Sequence, residues 1–130
     1  MSYYMAKTIA RSFDDAVADI TARLKEQGFG VLTDIDVQAT LKSKLNLDMR
    51  PYRILGACNP PFAHRAILAE PDIGLLLPCN VLVREEENGT VTVAFMNPEA
   101  VLDLVGKPGM KEIALEVKAK LMRVRDSLSA

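Results

Sequence analysis

The sequence predicts an α+β domain in which an antiparallel sheet of about five strands packs against two main helices. Two observations near the ends of the chain and one between them carry that expectation. Phe13, Val17, Ile20 and Leu24 recur at helical spacing, as do Met110, Ile113, Ala114, Val117, Leu121, Val124 and Leu128. Between these stripes lie short β-rich segments bounded by Gly, Pro and Asn, and the last two are joined by a loop ending in Gly89.

Taken in order, residues 3–9 read as a first strand because they are rich in aromatic and β-forming residues. Ser12 then caps a helix by accepting from the amide of Asp15, and Gly28 stops it. Residues 29–35 form a second strand, followed by a short helix capped by Asp36, with Val37, Leu41 and Leu45 along one face. Residues 52–58 are the third strand. Asn59 and Pro60 then give a cap and a first-turn proline for a helix that runs to Glu70 and ends at Pro71.

The last two strands are expected over residues 75–86 and 90–96. A two-residue Asn88-Gly89 turn would mix apolar and charged side chains on both faces. A three-residue loop, Glu87-Asn88-Gly89, with Gly89 left-handed, instead gathers Val81, Val83, Val91, Val93 and Phe95 on one face. That bulged register is the predicted one. Asn97-Pro98 opens another short helix, and the turn from Gly106 to Gly109 leads into the longest one.

Length and composition fit a single domain over residues 1–130. Hydrophobic residues make up 49% and charged residues 25%, far from the composition of a disordered chain. Sixteen Lys and Arg against seventeen Asp and Glu leave a formal net charge of −1, so no overall positive field draws nucleic acid or anionic lipid. Neither a secretory leader nor a stretch able to span a bilayer is read, so a cytoplasmic protein with no membrane partner is expected. There the two cysteines, Cys58 and Cys79, are expected as thiols.

The stretch Arg53-Ile54-Leu55-Gly56-Ala57-Cys58-Asn59-Pro60-Pro61, and the stretch from Glu70-Pro71 through Leu77-Pro78-Cys79-Asn80-Val81, resemble the domain of unknown function 302 family of bacteria and archaea. The Gly28-Phe29-Gly30 step and the hairpin from Glu85 to Gly89 extend the resemblance over nearly the whole chain. It implies a β-α-β(4)-α fold of the TATA-binding-protein-like class and a homodimer. It implies no activity or ligand. One branch of that family keeps counterparts of Asn59-Pro60 and Pro78 without either cysteine, so a function shared by all members would not rest on the thiols.

One constellation can carry chemistry. Cys58 ends a strand beside a helix start, and Cys79 lies in another strand. The leading expectation is a non-catalytic binding domain with a small-molecule site near Cys58, Asn59, Pro78 and Cys79, needing no cofactor. The alternative is a thiol redox protein, or a soft-metal site in which Cys58, His64 and Cys79 hold zinc or copper. Geometry weighs against His64 as a partner of Cys58, since it is turned about 100° round the helix from Ala63, the residue that Cys58 staples.

Other groups have plainer readings. Pro60 and Pro61 remove two amide donors that an anion site at that helix start would use. Lys118, Lys120, Arg123 and Arg125 offset the dipole of the last helix on a solvated face, without the interleaved aromatics of a nucleic-acid surface. Glu85, Glu86 and Glu87 alternate faces at a hairpin tip and form no convergent acid pair. The chain has no Gly-rich phosphate loop, HExxH or GxSxG motif.

Overall fold

The computed structural model describes residues 1–129. Helix α1 (Phe13–Glu26) begins where Ser12 Oγ accepts from the Asp15 amide at 3.2 Å, and it buries Ala16, Ile20 and Leu24. It ends at Gly28, whose φ of 87° only a residue without Cβ adopts freely. The short helices and turns that follow are α2 (Val37–Leu45), α3 (Pro60–Ala69), a 3-10 turn over Pro71–Leu76, and α4 (Pro98–Leu102) running into a second 3-10 turn, Asp103–Val105. Helix α5 (Met110–Ser127) buries Met110, Ile113, Ala114, Val117, Leu121 and Val124 along the expected stripe.

Five strands make one sheet: β1 (Tyr4–Ile9), β2 (Gly30–Asp36), β3 (Tyr52–Cys58), β4 (Cys79–Glu85) and β5 (Val91–Met96). Their order across the sheet is β1-β5-β4-β3-β2, and every neighbouring pair is antiparallel. The α+β architecture expected from the sequence is the one observed.

The β4–β5 hairpin adopts the bulged register. Val81 faces Phe95 and Val83 faces Val93 across the ladder, Glu86 N–H donates to the Thr90 carbonyl at 2.8 Å, and Gly89 has φ 84°. Val81, Val83, Val91, Val93 and Phe95 are all fully buried, joined on the same face by Ile9, Leu55 and Ala57. Ile20 and Leu24 of α1 and Val117, Leu121 and Val124 of α5 cover that face. This is the main core. A smaller cluster, built from Ala66, Ile73, Leu102, Met110 and Ala114, joins α3, α4 and the start of α5.

Two segments differ from expectation. The fourth strand begins at Cys79 and not at residue 75, because the chain from Pro71 to Leu76 coils into a 3-10 turn that buries Ile73 and leaves Leu75 exposed. Pro78, which has no N–H for the ladder, stands just outside the strand. Helix α2 keeps the predicted cap, Asp36 accepting from the Ala39 amide at 2.9 Å, yet buries none of its residues. Its contacts with the sheet are to β3.

The sheet's other face carries a row of its own. In register across it run Ile35, Ile54, Leu82, Ala94 and Ala6, an uncharged apolar row. None of the five is fully buried.

The core register makes a direct stability prediction. Phe95→Ala removes the largest side chain of the inner face, and the expected cost is about 3–5 kcal/mol. Urea unfolding of the two proteins measures it, and a loss below about 1 kcal/mol would place Phe95 outside the load of the core.

Candidate functional site

The ends of β3 and β4 converge on the start of α3. Strand alternation sends Leu55 and Ala57 into the core, with Gly56 between them. A Cβ on Gly56 would collide with Thr33 Oγ1 and stand 2.7 Å from Pro78 Cγ. Thr33 can rotate its hydroxyl aside, whereas the proline ring has no such freedom. Glycine at this position therefore lets Pro78 close against β3.

Cys79 faces inward opposite Ala57 and is buried, while Cys58, the last residue of β3, is half-buried. Both are free thiols. Burial pushes the Cys79 thiol up from its ordinary value of 9.0 to about 12, and the neighbouring Cys58 adds to the rise. Cys79 is thus held as a neutral S–H at neutral pH.

Asn59 occupies the N-cap position of α3, but its side chain makes no capping bond. The expectation that it caps the helix is corrected here. Pro60 and Pro61 fill the first two helical positions, so the second-position amide on which a cap side chain commonly acts is missing. The helix starts instead through the Asn59 carbonyl, which accepts from the Ala63 amide at 2.9 Å. The freed side chain reaches across the fold, and its Nδ2 donates to the Gln27 carbonyl at 3.3 Å. Gly28 makes room for it, since a Cβ there would lie 3.0 Å from Nδ2.

These four residues share one cavity of about 40 Å³. Cys58, Asn59, Pro78 and Cys79 line it, with Ala57 and Phe29 on the sheet side. Helix α3 contributes Phe62, Ala63 and Ala66 as a roof, and Leu102, Ile113 and Val117 close the far side. That volume holds about three groups the size of a water molecule. Sequence reasoning reached the strand ends but not the roof or the far wall. Ala63 and Ala66 read as ordinary helix residues, and only their small size on the inward face of α3 hints at a void.

The cavity lining contains two thiols and one amide, and no acidic, basic or imidazole side chain. His64 is exposed on α3 and is not among the lining residues. The set Cys58, His64 and Cys79 is therefore not brought together, and no group of three or more His, Cys, Asp or Glu able to hold a metal ion occurs among the described residues. The zinc or copper alternative loses its ligand set. Arg65 is also turned elsewhere: it pairs with Glu116 at 2.7 Å and sits 5.4 Å from the Phe62 ring centroid. Two basic residues of α5 are engaged as well, Lys118 with Glu99 at 2.8 Å and Arg123 with Gln27 Oε1 at 3.1 Å.

The family described as "Domain of unknown function DUF302" matches residues 5–128. The chain belongs to the DUF302 family. Among solved structures it is similar to the crystal structure of the uncharacterized conserved protein DUF302 from Bacillus stearothermophilus, with a TM-score of 0.89 and 29% identity over 97% of this chain and 98% of that one. No curated protein matches the chain. DUF302 membership thus fixes the fold and leaves activity open. No helix among the described residues is long and apolar enough to cross a membrane.

The two thiols are expected to differ in access. Iodoacetamide at pH 8 should label Cys58 in the native protein and reach Cys79 only in denaturant; equal native labelling would contradict the buried placement. The raised value of Cys79 also sets a pH dependence. The unfolded thiol ionises from about pH 9 and the folded one only near 12, so the folded state binds the extra proton across that window. Stability contributed by the neutral thiol is complete below about pH 9 and is lost as pH rises toward 12, by at most about 1.4 kcal/mol per pH unit. That component should be absent in Cys79→Ala, as alkaline urea titrations of both proteins would show.

Proposed function

We propose that this DUF302 chain is a non-catalytic binding domain that takes a small molecule into the cavity bordered by Cys58, Asn59, Pro78 and Cys79. The observation that carries the reading is the convergence of two strand ends and a helix start on one apolar void, with no acid or base in its lining. Neither thiol is arranged for turnover. Cys79 stays protonated, and Cys58 has no imidazole beside it in the lining. Its setting is a reducing, cytoplasmic one, in which both thiols persist.

A second reading concerns assembly. The proposed partner is another copy of the chain, as the family resemblance implies, and the apolar row Ile35, Ile54, Leu82, Ala94 and Ala6 supports that sheet face as the contact. Apolar sheet faces are stabilised by burial, and a face with one apolar, uncharged row is complementary to its own copy.

Two measurements test these readings. Xenon under pressure should shift the methyl resonances of Ala57, Ala63 and Val117 in the wild-type protein and leave them unmoved in Ala66→Leu, whose larger side chain fills the void. Absence of any xenon response in the wild-type chain would remove the binding site. Sedimentation should show twice the mass of one chain at high micromolar concentration, and Leu82→Lys should return it to monomer. A wild-type protein that sediments as a single chain would reject the dimer.

A further inference from the structure

We propose that the molecule bound in this cavity is uncharged and joins an apolar body of about three or four heavy atoms to a single hydrogen-bond donor that meets Oδ1 of Asn59. The inference rests on the cavity being a binding site and narrows what fills it.

Charge is disfavoured from every side. The lining carries no charged side chain to compensate an ion, and transferring an unpaired charge into such a site costs far more than the contacts return. An anion would look for amide donors at the start of α3, where Pro60 and Pro61 have none. The nearest cation along that helix, Arg65, is held by Glu116.

The polar requirement comes from Asn59. It is 9% exposed, lines the cavity, and is the only amide side chain there. Its two ends are not equivalent. The nitrogen end donates to the Gln27 carbonyl and packs against Gly28, which fixes the amide so that the oxygen is the end left over. No donor among the described residues reaches that oxygen. Every fully enclosed side-chain nitrogen or oxygen among the described residues does have a partner, so Oδ1 of Asn59 must abut accessible space. On a residue that lines the cavity, such an acceptor is satisfied by a guest that brings a donor, such as an aliphatic hydroxyl. A guest of the same shape without a donor gains the apolar contact and forfeits the hydrogen bond.

Methyl chemical-shift titrations with three probes of similar size separate these cases: 1-propanol, 1-fluoropropane and acetate. The expected result is that 1-propanol binds about fivefold more tightly than 1-fluoropropane, the ratio corresponding to a net hydrogen bond of about 1 kcal/mol. Acetate should move none of the cavity methyls. In Asn59→Leu the preference should fall to about onefold while xenon still binds, which shows that the cavity is intact. Should that variant fail to fold, the wild-type Asn59 side-chain amide resonances supply the second readout, shifting with 1-propanol and not with 1-fluoropropane. Equal affinities for the two propyl probes, acetate binding at the same methyls, or an alcohol preference that survives in Asn59→Leu would each overturn the ligand class while leaving the cavity in place. Failure of xenon to bind the wild-type protein would instead remove the binding reading and this inference with it.

Discussion

The pairing of Val83 with Val93 across β4 and β5 is the constraint on which the fold depends. Side chains alternate faces along a strand, so a slip of one residue in this hairpin would turn one strand over against the other and set Leu82 and Arg84 on the same face as Val91, Val93 and Phe95. The stripes of α1 and α5 have no other apolar surface of that size to cover. Glu86 and Thr90 close the loop, and Gly89 supplies the left-handed residue that sets the register. Everything outward from there follows the ladder. β3 is placed against β4 so that Leu55 meets Val81 and Ala57 meets Cys79, and this pairing brings the two strand ends to α3.

At that junction the chain departs from close packing through its small residues. Gly56 admits Pro78, Gly28 admits the Asn59 amide, and Ala63 and Ala66 leave unfilled the space that they line with Ala57 and Cys79. Larger side chains at the two alanines would reach the sheet and fill the gap. A void in a protein interior forfeits dispersion contacts along its walls, so it is destabilising unless something occupies it. The two glycines act differently from the alanines: they allow close approach, while the alanines leave space unfilled.

The periodic elements were legible because burial imposes a period. The stripes of α1 and α5, the hairpin register and the Ser12 and Asp36 caps can each be read from a few neighbouring residues, since local spacing and side-chain chemistry decide them. The role of Asn59 was not legible in the same way. Asn before Pro at a helix start reads as a cap, but the two prolines leave a cap side chain only the Phe62 amide, and the competing acceptor, the Gln27 carbonyl, is 32 residues away in sequence. The fourth strand is shorter than its apolar sequence predicts for a related reason. Residues 75–77 are apolar enough for a strand, yet Ile73 is held in the smaller cluster by Ala66, Leu102 and Met110, and that non-local packing coils the segment. The candidate site was thus visible as a set of strand and helix ends, and the walls that make it a cavity were not.

The position of the void follows from the existence of two cores. Ala57, Phe29, Cys79, Ile113 and Val117 belong to the main cluster under the sheet, while Ala66 and Leu102 belong to the smaller one, and Leu77 touches both. The cavity lies along the seam between them. The main cluster is locked by ladders on every strand and by two long helices. The smaller one joins short helices and 3-10 turns, and its surface ties, Arg65 with Glu116 and Glu70 with Lys107, are ion pairs of the kind that stabilise only weakly. Units with few buried apolar groups open more readily than the core they rest on. α3 and its neighbouring turn form one wall of the cavity and the sheet forms the other, and Asn59 links the two: its carbonyl opens α3 while its side chain is tied back to the Gln27 carbonyl.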